Sequence, residues 1–131
     1  MARTEVLAKG RFKVYVERST EFEDQMNRAA KDRAWNSVGL LGVHCVISAC
    51  DALTVQRTGQ RWSGQDHGGV VGMVEELGLP DTDHVVRQIA RVLEAKKRVE
   101  YESREFTERE AEDVRQSVSR VTKWVNSLLP K

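Results

Sequence analysis

The chain has 131 residues, 40% of them hydrophobic and 31% charged, which suits one folded domain over residues 1–131 and excludes extensive disorder. Its 21 Lys and Arg against 20 Asp and Glu leave a net charge of +1, so no global field draws it onto nucleic acid or a membrane. No apolar run reads as the ~20 residues that span a bilayer, and the N-terminus MARTEVLAKGRF lacks a signal peptide's apolar core; cytoplasmic location without membrane association is expected.

Apolar residues at Phe12, Tyr15, Val16, Phe22 and Met26 follow helical spacing and predict a first helix from about Thr4 to Ala30. Capping residues at Ser19–Thr20 mark a place where it could break. Asp32 is a candidate cap for a second helix reaching about Arg57. Its middle, Val38 to Val55, is apolar nearly all round, which predicts a central helix buried on several sides. Gly39, Gly42 and Ala49 would let neighbours approach it closely. Cys45 and Cys50 lie five residues apart among apolar neighbours, a poor disulfide geometry on a helix, so both read as buried reduced thiols.

Thr58–Gln65 holds two glycines and no periodicity, and reads as a loop. Asp66 is a candidate cap for a short third helix, His67 to Leu77, stopped by Gly78-Leu79-Pro80. Asp81 or Thr82 opens a fourth helix with Val85, Ile89, Val92 and Val99 on one face. Thr107 with Glu110 forms a capping box for the last helix. There Ala111, Val114, Val118, Val121, Val125 and Leu128 make the cleanest amphipathic row in the chain. The whole predicts an all-α protein, an up-and-down antiparallel bundle of four to five helices.

Three groups of residues could carry chemistry. His44, Ser48 and Asp51 share one face of the central helix, and Ser37 extends it. A carboxylate in an apolar helix needs a cation or donor, and an Arg from a neighbouring helix is expected to supply it. A Ser–His–Asp relay on one straight helical face is not a workable triad geometry. Arg91, Arg98 and Tyr101 lie on one side of the fourth helix, where guanidinium and ring could hold a phosphate and stack a base. Arg57, Arg61, Trp62 and His67 surround the start of the third helix, where free amides favour anions. Each group also has a plainer reading: a satisfied polar network, a salt-bridged helix end and an ordered loop. His44, His67 and His84 lack metal-ligand spacing, and no phosphate loop or dinucleotide fingerprint occurs, so neither metal nor cofactor is expected.

Ala49-Cys50-Asp51-Ala52-Leu53, then Arg61 with Asp66-His67, then Lys97-Arg98-x-x-Tyr101-Glu102, together resemble the HEPN superfamily over about Ala30 to Leu129. The resemblance implies an all-α HEPN-like bundle that forms a homodimer and binds a nucleotide or RNA. It also implies a toxin–antitoxin pair with a minimal nucleotidyltransferase as partner. Some members are metal-independent ribonuclease toxins that use an Arg followed four to six residues later by a His. Here Arg98 is followed by Val-Glu-Tyr-Glu-Ser-Arg, without His. Arg61 and His67 have the spacing, but before the third helix. A structural dimer or adaptor without ligand is the remaining alternative. Asp51, Arg98 and Tyr101 match the polar positions of the family's interhelical groove, with His44, Ser48, Arg61 and His67 around it. Arg98 is therefore expected to reach Asp51 or a bound anion.

Overall fold

The computed structural model describes residues 3–64, 66 and 68–131. Among these the chain is mostly helical, with two three-residue strands. The order is β1 (Thr4–Val6), α1 (Phe12–Lys31), α2 (Trp35–Thr58), β2 (Gln60–Trp62), α3 (Gly68–Glu76), α4 (Thr82–Tyr101) and α5 (Glu108–Leu128). A short 3-10 turn, Lys9–Arg11, leads into α1.

Helix α2 is the centre and touches each of the other four helices. Fourteen of its residues, from Val38 to Val55, are buried. Over its most apolar stretch the mean hydropathy is 1.8, and by length and composition α2 could cross a membrane, contrary to the sequence expectation. Its burial against the other helices accounts for that apolarity, because 78% of the stretch is covered by the chain itself. Helices α4 and α5 lay one apolar row each against it: Val85, Ile89, Val92 and Ala95, and Ala111, Val114, Val118, Val121 and Val125. Phe106, in the connection between α4 and α5, is buried over Gly39.

The N-terminal segment departs from the expected helix. Thr4–Val6 is a strand, paired antiparallel with Gln60–Trp62 in a stretch read as loop. The apolar period that carried the helix begins only at Phe12, and the β-branched Thr4 and Val6 are suited to extended pairing. From there α1 runs unbroken through Ser19–Thr20, because the Ser19 hydroxyl bonds across to the Cys45 carbonyl at 3.1 Å and does not cap. Asp32 closes α1 and does not open α2, whose N-cap is Ala34 without a side-chain bond. Gly59, at φ 72°, ends α2 and turns the chain into β2. Asp66 caps α3 as expected, accepting from the Gly68 amide at 2.9 Å. Asp81 precedes α4 in the left-handed region and makes no side-chain cap. The capping box at Thr107 and Glu110 is complete.

Gly42 marks the tightest approach of α5 to α2. A Cβ there would sit 2.5 Å from a methyl of buried Val114 and 3.3 Å from one of Val118. Gly72, inside α3, has open space around it. Opposite outcomes are expected for the same substitution. Gly72→Ala raises stability by about 0.5–1 kcal/mol through helix propensity. Gly42→Ala loses about 1–2 kcal/mol net, because overpacking outweighs that gain. Urea midpoints of the two variants check both.

Candidate functional site

Asp51 lies on the inner face of α2, with a side chain only 4% exposed. Its partner is Arg61 of β2, whose Nε donates to Oδ2 at 3.2 Å. Arg61 also donates through Nη1 to Glu5 at 2.9 Å. Glu5 and Arg61 are register partners in the β1–β2 ladder, so the strand pairing aims the guanidinium at α2. The Tyr15 ring completes the cluster, with the guanidinium carbons of Arg61 and Arg18 at 5.3 and 5.1 Å from its centroid. An Arg does meet Asp51, but it is Arg61 from a strand, not an Arg from a neighbouring helix and not Arg98.

Burial pushes the Asp51 carboxyl up to about 6, and the nearby Arg61 and Arg18 only partly offset it. On Arg61 burial weighs against the charge, yet Asp51 and Glu5 outweigh it and hold the guanidinium above its usual range. The Asp51–Arg61–Glu5 cluster therefore fastens the two-stranded ribbon onto α2. Its carboxylate on α2 is covered, while Glu5 at the outer end is half exposed.

Arg98 points elsewhere, into a groove between α4 and α5 with a volume of about 550 Å³. Its Nη1 lies 3.3 Å from Glu110, which also takes two bonds from Arg104 at 2.8 and 2.9 Å. Those bonds, with the Thr107 amide and hydroxyl, hold Glu110 down to about 2. Arg91 and Arg120 line the same groove, and no described carboxylate lies within ion-pair distance of either. Glu94, Asp113 and Gln116 are the other polar groups on its wall, and Ser117 donates to Gln88 at its base, 2.8 Å away.

Comparison with models of protein families, with curated proteins and with solved structures finds no match.

The remaining predicted site residues are dispersed. Tyr101 is 77% exposed and lines a second groove, of about 330 Å³, between α3 and α4. His44 is exposed and packs its ring 5.5 Å from that of Phe22 on α1. Ser48, one turn on, is buried among the helices, and Ser37 lies exposed in the first turn of α2. The face that carries His44, Ser48 and Asp51 is thus solvated at one end and covered at the other. His67 lies outside the described residues. Trp62 sits under Gly64 and Gly69, and its indole donates to the Asp66 carbonyl at 2.6 Å. Arg57 donates to the Leu128 carbonyl at 3.0 Å, tying the ends of α2 and α5. Both cysteines are free and buried, and burial pushes the Cys45 thiol up to about 12, so neither is a nucleophile at neutral pH. Among the described residues no group of His, Cys, Asp and Glu is placed to hold a metal ion.

Sequence reasoning paired Arg91 with Arg98, two turns apart, but missed Arg120. It sits on the polar face of α5, where only the packing of α4 against α5 reveals its place. It also missed Glu5, whose role depends on strand register.

Asp51 gives the chain a pH dependence of definite sign. Its folded value is above the 3.8 of a free carboxyl, so its contribution is fully present below about pH 4 and lost as pH rises through 6. The shift from 3.8 to about 6 corresponds to roughly 3 kcal/mol against the ionised form. Asp51→Asn should therefore show a flatter stability profile between about pH 4 and 7 than the parent chain. At pH 7 it should be the more stable of the two by about 1–3 kcal/mol. Urea midpoints across that range measure this. A variant weaker than the parent at pH 7 would mean the ion pair outweighs the cost of burial.

Proposed function

We propose that this chain is a nucleotide- or RNA-binding protein of the HEPN-like kind, and that the α4–α5 groove is its binding site. The observation that carries the reading is the convergence of Arg91, Arg98 and Arg120 on one groove of about 550 Å³. That volume falls in the range of small-molecule sites, ~300–1,000 Å³. Guanidinium groups suit phosphate oxygens, which they bind through paired N–H donors. Three carboxylates share the wall, Glu94, Glu110 and Asp113. They accept from hydroxyls and exocyclic amines, so the lining suits a phosphate carried on a sugar and base better than a bare polyphosphate.

The resemblance adds a homodimer and a toxin–antitoxin setting with a nucleotidyltransferase partner, which rest on it alone. The family's ribonucleases set a His beside their Arg as proton donor or acceptor, whereas the group beside Arg98 is Glu110, a carboxylate held down to about 2 and a weak base at neutral pH. Among the described residues no histidine lines the groove: His44 lies against Phe22, and His84 lines a separate surface pocket at the start of α4. RNA incubated with the protein in EDTA should stay intact.

Calorimetric titration with nucleoside monophosphates and a short single-stranded RNA tests the binding. Saturable binding is expected, weakened roughly tenfold or more by Arg91→Ala or Arg120→Ala, consistent with ~1.5–3 kcal/mol for a charged hydrogen bond. The same affinity in the Arg variants and the parent would place the ligand elsewhere. No heat with any nucleotide or RNA would favour a structural dimer or adaptor.

A further inference from the structure

The two grooves beside α4 are neighbours, not separate features. Ala90 and Glu94 line both, so only the outward ridge of α4 divides them. At 100° per residue, Ala90, Glu94, Lys97 and Tyr101 form the crest of that ridge, and Arg87, Arg91 and Arg98 form the row beside it. The crest is low at Ala90, which has no side chain beyond its methyl. This outward face carries four cations and two carboxylates, Asp83 and Glu94, against a net charge of +1 for the whole chain. The α3–α4 groove has half-buried apolar side chains, Val71 and Leu93, along its lining. Lys96, Lys97 and Tyr101 stand at its rim, and the Tyr101 ring is 77% exposed with no role in the core.

We propose that α4 is a saddle for a single-stranded nucleic acid, with phosphates in the α4–α5 groove and a base stacked on Tyr101 across the ridge. The proposal rests on the reading of the α4–α5 groove as the phosphate site and extends it to a strand of two or more nucleotides. Arg91 and Arg98 neutralise the backbone on one side. Lys97 on the crest meets the phosphate that crosses it. The apolar lining beside Tyr101 receives a base, since every base has a face to stack and an edge to bury. A duplex hides its bases and cannot reach that lining. A mononucleotide fills only the first groove.

Fluorescence anisotropy with a labelled ten-nucleotide single strand and with its duplex, at fixed salt, reads the proposal on the full chain. The expected result is tighter binding of the single strand, weakened about 5- to 100-fold by Tyr101→Ala, the range that loss of one stacked base gives. Tyr101→Phe, which keeps the ring, should bind as the parent does. Mononucleotide binding should be unchanged by Tyr101→Ala and weakened roughly tenfold or more in Arg91→Ala. Because Tyr101 is exposed, its replacement leaves the fold intact. If Tyr101→Ala binds the single strand as tightly as the parent, while Arg91→Ala does not, the saddle is overturned and the groove reading survives. Equal binding of duplex, or equal competition by polyglutamate, reduces the face to a general polyanion surface and also overturns it. Absence of binding to any nucleic acid removes both readings together.

Discussion

A helix of 24 residues that is apolar on almost every side must be covered on almost every side, and α2 imposes that requirement on the rest of the chain. Helices α1, α3, α4 and α5 all meet it, and the glycines at 39 and 42 set how close they come. Four helices do not quite close the ring. The sector around Asp51 is covered by the β1–β2 ribbon, and there a carboxylate and a guanidinium face each other under a tyrosine ring. The ribbon is short, yet it occupies the sector where α2 presents its buried carboxylate.

This division of labour separates two polar regions with different consequences. The Asp51 cluster is inward, paired and largely dry, so its chemistry is spent on fastening the ribbon. Buried pairs of this kind contribute little net stability, because desolvation cancels much of the attraction. The α4 face is outward, half-paired and wet. Its arginines keep free donors, and Glu110 holds only one of them while serving Arg104 and the helix cap. On the second region Arg91 and Arg120 have no carboxylate within ion-pair distance among the described residues, whereas Arg98 is shared with Glu110.

The helices were legible from their apolar period, with caps agreeing at Asp66 and Thr107 but not at Ser19–Thr20, Asp32 or Asp81. The row from Ala111 to Leu128 and the Thr107–Glu110 box placed α5 without ambiguity, and the apolar run through Val38–Val55 marked the centre. The ribbon was not legible. Three residues give too short a window for a period, and Thr4–Val6 becomes a strand only because Gln60–Trp62, far along the chain, offers it a partner. The site was half legible for the same reason. Asp51 announced that it needed a cation, but which cation depended on strand register, and the sequence motif pointed to Arg98. Arg91 and Arg98 were visible as a helical row, whereas Arg120 joined them only through the packing of two helices.

The ribbon also sets an order on folding. Glu5 and Arg61 are 56 residues apart, and everything between them is the α1–α2 pair with its connections. Closing so long a loop on a three-residue ladder is entropically unfavourable in an open chain. Once α1 has docked on α2, the same two segments are already neighbours, and the ladder forms at little further loss of chain freedom. The ribbon is thus a late clasp that registers the completion of the helical pair.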